Sequence, residues 1–301
     1  MRSALVLLKR NVKLFFKDKG MFLTSLITPA ILLLLYATFL GNVYRDSFAM
    51  NLPEGIVSDK LMNGLVGGQL ISSILAVSCV TVSFCSNFLM VQDRANGTLK
   101  DLTISPVRPS ALAVSYYAAS LSCSLIICLT ASTLCFGYMA ITGWYLSALD
   151  VVMILLDVIM LVLFGTALSS LINFFLSSLG QISAVGTVVS SCYGFLCGAY
   201  MPISSFSEGL RNALSLLPGT HGTALLRTHA LRGALAELEA AGVPAEAVDA
   251  LADAVDCNVY CFDVKVDATV MYASVIGSIA LFLGVYVLLN VLRIRKNEGK
   301  S

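Results

Sequence analysis

Gln92-Asp93-Arg94-Ala95-Asn96-Gly97-Thr98-Leu99-Lys100-Asp101-Leu102-Thr103-Ile104-Ser105-Pro106-Val107-Arg108-Pro109 is the stretch on which the reading of this chain turns. A charged pair opens it, a glycine turn follows, a short segment begins at Thr98, and prolines end it. On either side the charges vanish, because neither 61–91 nor 111–149 contains an Asp, Glu, Lys or Arg. About 20 apolar residues let a helix cross the hydrocarbon core of a bilayer, where charge is costly. The stretch therefore reads as a charged elbow between two membrane spans. From the residues alone it is either a rigid knuckle that docks into a partner's groove or an ordinary solvated loop.

The same rule places the other spans. Hydrophobic residues make up 57% of the 301 and charged ones 12%, against about 45–50% and 25% in soluble proteins. Runs without charge, or in the fourth case with only Asp150 and Asp157, mark six transmembrane helices at about 21–40, 61–91, 112–139, 150–172, 181–201 and 269–292. The second is long enough to tilt or protrude. The run after Ala111 is divided near Thr142-Gly143, where Trp144 suits an interfacial turn, and again at 173–180. The predicted fold class is an all-α membrane protein of six spans. The net charge of +1 excludes a generally basic nucleic-acid binder.

Orientation follows from the placement of lysine and arginine. With both termini cytoplasmic, Arg2, Lys9, Arg10, Lys13, Lys17 and Lys19, then Arg94, Lys100 and Arg108, and finally the basic tail 293–301 with Arg293, Arg295, Lys296 and Lys300, all fall inside. The outer side keeps Arg45, Lys60, Arg211, Arg227, Arg232 and Lys265. Residues 1–20 read as an amphipathic interfacial helix, with Lys9, Lys13 and Lys17 on one face and Leu5, Leu8, Val12, Phe15 and Phe16 on the other. A cleaved signal peptide fits poorly, since the basic region is too long and no small-residue cleavage site follows Leu40. The outer loop 203–268 is acidic. Phe206, Leu210, Leu214 and Leu217 recur at helical spacing between Pro202 and Pro218, which predicts a short re-entrant or interfacial helix, and 245–255 reads as a small surface helix after Pro244.

Few side chains offer chemistry. Seven of the nine cysteines fall in apolar runs, while Cys257 and Cys261 in the acidic loop are either a local disulfide or two free thiols on one helix side. His221 and His229 lack a ligand pattern and read as polar loop residues. Asp157 lies deep in the fourth span, as a polar contact in a transport path or as an acid hydrogen-bonded to a neighbouring Ser or Thr. Asp150 sits at the outer interface. Gly64-x-x-x-Gly68 and Gly194-x-x-x-Gly198 permit close helix contact, at a dimer or gating interface or simply within the bundle. Gly299-Lys300-Ser301 ends like a phosphate loop, but Ile294 stands where its first glycine belongs and no helix follows. By this route ATP hydrolysis belongs to another chain.

Asp-Arg-x-x-Gly-Thr-Leu-x-x-Leu-x-x-x-Pro-Val-Arg, placed after the second span, resembles the inner loop of type-2 ABC exporter permeases, including those near the daunorubicin-type drug exporters. The likeness extends to the basic N-terminal helix, the six spans, the Met201-Pro202 exit from the fifth span, and Leu216-Leu217-Pro218-Gly219-Thr220-His221. It implies a type-V exporter fold in which two permease subunits, identical or related, each meet a nucleotide-binding ATPase subunit that holds ATP and Mg²⁺. The chain itself holds no cofactor. It also implies a coupling helix in the inner loop 92–110, with the carry-over falling on Asp93, Arg94, Gly97, Thr98, Leu99 and Pro106. Ala95 departs from the acidic residue common at that place, and the acidic insertion 233–267 exceeds the family minimum.

The leading function is a permease that moves an amphipathic drug, lipid or peptide-like substrate outward across the plasma membrane by alternating access. Its candidate substrate path is Asp157, Pro202, Glu208 and Pro218. An ion-coupled carrier is the alternative, opposed by the scarcity of intramembrane charge. A membrane hydrolase is less favoured still, since both histidines fall outside the predicted spans.

Overall fold

The structure is a computed structural model and describes residues 2–51, 57–104 and 109–298. Among the described residues six helical stretches are long and apolar enough to cross a membrane: Lys19–Met50, Asp59–Ala95, Ser110–Thr142, Ala148–Phe175, Leu179–Leu196 and Ala268–Leu292. The chain is a helical bundle that passes the membrane several times.

Arg2–Lys17 (α1) buries Leu7, Asn11 and Phe15, a stripe of every fourth residue, and lies against Pro109–Thr142 (α6). Asp18 separates it from Lys19–Leu35 (α2) and accepts hydrogen bonds from the amides of Gly20 at 2.9 Å and Met21 at 3.1 Å, as an N-cap does. The helix that carries the first span does not stop at residue 40. It passes through a π-turn at Tyr36–Leu40 into Gly41–Asn51 (α3). A charge-free run marks where a helix is in the membrane, and nothing obliges the helix to end once it reaches water.

Asp59–Ala95 (α4) is the pillar of the bundle. Its 37 residues extend about 55 Å by helical rise, well beyond a core of about 30 Å, so it protrudes. Nearly every residue from Leu61 to Val91 is buried. Glycine, serine and alanine all round its surface let neighbours approach on every side. Thr98–Ile104 (α5) follows the elbow, then α6, then Ala148–Phe175 (α7), whose start is fixed by a capping box between Ser147 and Asp150. Gly165 of α7 meets the α4 backbone, where an added Cβ would stand 2.9 Å from Val80 Cα and 3.1 Å from the Cys79 carbonyl oxygen. Asn87 Nδ2 donates to Ser169 Oγ at 3.1 Å and Ser170 Oγ at 2.7 Å across the same seam. Gly165→Ala is expected to cost about 1–3 kcal/mol, because backbone atoms cannot swing aside. Thermal unfolding in detergent checks this, and an unchanged midpoint would show that the two helices have room to part.

Leu179–Leu196 (α8) ends earlier than residue 201. Gly198 takes a left-handed φ of +72°, the chain reverses, and Tyr200 folds back so that an added Gly194 Cβ would lie 2.4 Å from its ring. The amides of Ala199 and Tyr200 both donate to the Gly194 carbonyl. Gly64 likewise faces the Tyr145 ring, and Gly68 faces the Ala230 carbonyl. These small-residue pairs make close contacts within the chain.

The largest departure is in 203–268. After the short Glu208–Ser215 (α9), Pro218 opens a 23-residue helix, Pro218–Ala240 (α10), that packs against α4, α7 and the last helix, Ala268–Glu298 (α12). Much of the expected outer loop is therefore bundle core. Ala245–Ala254 (α11) lies against α10 and α3, and a two-stranded hairpin of Tyr260–Cys261 (β1) and Val264–Lys265 (β2) precedes α12. Cys257 and Cys261 are both free thiols, and they share no helix.

Candidate functional site

Two features of the bundle suit transport, a cleft along its side and a braced elbow at one end. The cleft has a volume of about 1330 Å³ and opens between α2–α3 and α8, with α4 behind it. Ile31, Tyr36, Phe39 and Phe48 face Ser183, Thr187, Ser190 and Ser191 across it, while Cys85 and Phe88 of α4 close the back. Pro202, Ser205, Leu251 and Val255 cap the end remote from α5. Asp18, the α2 cap, is the charged side chain lining it among the described residues. An apolar wall with scattered hydroxyls suits a ligand that is apolar over most of its length.

At the elbow, Asp93 and Arg94 leave α4 about 100° apart, as successive helical residues must. Asp93 turns toward α1 and α6. Its carboxylate takes a fork from Arg10, with Nη1 to Oδ2 at 2.7 Å and Nη2 to Oδ1 at 3.4 Å, and accepts from the Tyr116 hydroxyl at 2.5 Å. This charge-assisted pair holds the Arg10 guanidinium still more firmly protonated. Arg94 turns to the end of α7, where Nη1 donates to the Phe174 carbonyl at 2.9 Å and to that of Leu176. A cation is well placed there, since those carbonyls carry the negative end of the helix dipole. Gly97, at φ +81°, makes the left-handed turn that releases α5. Thr98 is the first residue of α5, and Leu99 packs back against the core. Pro106 lies outside the described residues.

Arg227, His229 and Arg232 of α10 are each met by a carboxylate from elsewhere, the first two in the interior. Arg227 is almost wholly buried, donates to the carbonyls of Val255 at 2.7 Å and Gly198 at 2.8 Å, and stands 3.5 Å from Asp256. Burial pushes the Asp256 carboxyl above its ordinary range, while Arg227 and the amides of Ile203 and Ser204 pull it back. His229 Nδ1 lies 2.6 Å from Asp157, which also accepts from the Tyr272 hydroxyl of α12 at 3.0 Å. Arg232 pairs with Asp150 at 2.5 Å. Asp157 is thus answered by a histidine and a tyrosine, not by Ser or Thr, and His229 and Arg227 are not loop residues in solvent. His221 is also buried, with Nε2 2.8 Å from the Ser215 carbonyl.

Of the substrate-path residues, Pro202 lines the cleft. Asp157 is sealed among α7, α10 and α12, Glu208 is exposed in the first turn of α9, and Pro218 is the first residue of α10. The elbow residues Asp93 and Arg94 are brought together with Arg10, Tyr116 and the end of α7. Sequence reasoning missed those partners because they lie 83, 23 and 80 or more residues away. It also missed α10, whose signal was an unbroken Ala- and Leu-rich segment from 223 to 240.

The sequence profile of the ABC-2 type transporter family matches residues 2–230, more than two thirds of the chain. The chain belongs to that family. No curated protein matches it in sequence. As an ABC-2 type permease it is a transmembrane component of an ABC transporter, a class that works with an ATP-binding subunit and is generally not catalytic itself. The matched part of the permease contains the elbow, the cleft-lining helices α2, α3, α4 and α8 and the first half of α10, while α11, which adds Leu251 to the cleft's cap, the hairpin and α12 lie beyond it.

Proposed function

We propose that this permease exports an amphipathic drug-, lipid- or peptide-like substrate by alternating access, driven by ATP and Mg²⁺ held in a separate nucleotide-binding subunit. Both termini and the elbow lie on the cytoplasmic side of the plasma membrane, as the lysine and arginine excess favours. A second permease subunit, the same or related, faces the open side of the cleft, and membrane lipid surrounds the rest. The scarcity of charge in the cleft selects a substrate uncharged over its buried part.

The observation that carries the reading is the bracing of the elbow. Asp93 ties it to α1 and α6, and Arg94 ties it to α7, so a displacement of α5 reaches four helices at once. A solvated loop needs no such ties. An ion-coupled carrier would want Asp157 open to the cleft, and it is sealed from it.

Arg94→Glu tests the coupling. It removes the cation from the carbonyl end of α7 and sets a carboxylate against the same dipole. Substrate-stimulated ATP hydrolysis by the complex is expected to fall toward its basal rate while the permease still inserts and pairs. Stimulation equal to that of the unmodified complex would defeat the proposal.

A further inference from the structure

The tip of the hairpin is built against the usual preferences of a solvent-exposed turn. Phe262 and Asp263 occupy left-handed conformations, at φ +48° and +62°, in the two-residue connection between β1 and β2. Asparagine and glycine normally fill such positions, and a bulky side chain there is strained. Yet Phe262 is 65% exposed and Val264 beside it 69% exposed, so most of both side chains is left uncovered by the chain.

Their surroundings fix where they sit. The base of the hairpin packs through Val259 and Val266 into a cluster with Leu214 and Met271, at the start of a membrane-spanning helix. Arg211 of α9 pairs with Asp263 at 3.3 Å, which draws the tip over α9. α9 in turn is held at the last turn of a span, since Thr220 Oγ1 donates both to Leu196 at the end of α8 and to Leu214. Leu210, Leu216 and Leu217 of that region are exposed, as are Val270 and Ile276 on α12. The tip therefore lies at the end of the bundle where α12 begins. Neither α9, α12 nor the hairpin lines the cleft, so this surface is not the face that opens toward the cleft.

We propose that Phe262 and Val264, with the exposed leucines of α9, form an apolar wedge that inserts into the lipid leaflet at the end of the bundle remote from α5. Arg211 and Lys265, flanking the wedge, reach back to the headgroups. The wedge anchors the hairpin, and through it the start of α12 and the Tyr272 hydrogen bond to Asp157, against the bilayer surface. This is independent of the direction of transport and of the substrate.

The test uses the full permease in phosphatidylcholine vesicles, with the sole tryptophan removed as Trp144→Phe and Phe262→Trp introduced. Val264→Trp, outside the left-handed turn, and Leu210→Trp on α9 are parallel probes that keep the test intact if Phe262→Trp does not fold. Blue-shifted emission is expected, with most of it lost to lipids brominated high on the acyl chains and little to aqueous iodide. Water-like emission quenched by iodide would overturn the proposal. Protection from iodide without quenching by brominated lipid would mean that a second copy or another protein covers the tip, and would overturn it equally.

Discussion

Arg227→Met is expected to destabilise the permease by about 3–5 kcal/mol, the range for removing one partner of a buried ion pair. The guanidinium is nearly inaccessible, and methionine fills much of its volume without its donors. Three acceptors then lose the same donor together, the carbonyls of Gly198 and Val255 and the Asp256 carboxylate, and the longer bond to Ser73 Oγ at 3.4 Å goes with them. The Gly198 turn ends α8, Val255 follows α11, and Asp256 holds the amides of Ile203 and Ser204, so the cleft's cap comes apart at its centre. Arg227→Lys is expected to fall between, because a point charge cannot serve three acceptors spread around a planar fork. Arg227→Met combined with Asp256→Asn is expected to recover part of the loss by removing the stranded charge, which a double-mutant cycle on thermal unfolding in detergent measures. A melting midpoint unmoved by Arg227→Met would mean that the cap stands without its central cation.

Asp157→Ala is expected to cost on the order of 3 kcal/mol, since it strips a partner from His229, which is buried, and another from Tyr272, which is half-buried. The readout differs from that of Arg227. Asp157 joins α7, α10 and α12 and touches neither the cleft nor the elbow, so the expected result is a loosening of α10 with its neighbours still inserted. Cysteine substituted at Leu226, which is wholly buried, should become reactive toward a membrane-permeant thiol reagent in the Asp157→Ala background and stay unreactive otherwise. Equal protection in both backgrounds would show that apolar packing alone seats α10. Asp157→Asn keeps an acceptor for Tyr272 and is expected to cost less.

These effects share a cause. α10 is a helix that carries Arg227 and His229 buried in the bundle and Arg232 at its exposed edge. It is seated there because Asp150 and Asp157 of α7 and Asp256 after α11 meet it from two different parts of the chain. Each pair is positional: with the partner absent, the helix belongs outside.

That contrast also marks the boundary between what could be read from residues in order and what required the folded chain. The six spans, the break at Thr142-Gly143, the elbow after α4 and the membership of a permease family were all legible in the sequence, because each depends on local properties. A run of about 20 apolar residues crosses a bilayer whatever its neighbours do, and a left-handed glycine ends a helix by its own conformation. α10 was not legible, for the same rule in reverse: charge excludes a segment from the interior unless a distant residue neutralises it, and sequence order does not show which residues meet. The extension of the first helix to Asn51 and the early end of α8 at Leu196 escaped because charge marks the membrane and not the helix. Asp93 and Arg94 were identified as residues, yet their work as braces exists only where α1, α6 and the end of α7 converge on them. The length of apolar, charge-poor runs decided which segments are in the membrane; pairing of buried charge across long sequence separations decided how those segments are keyed together.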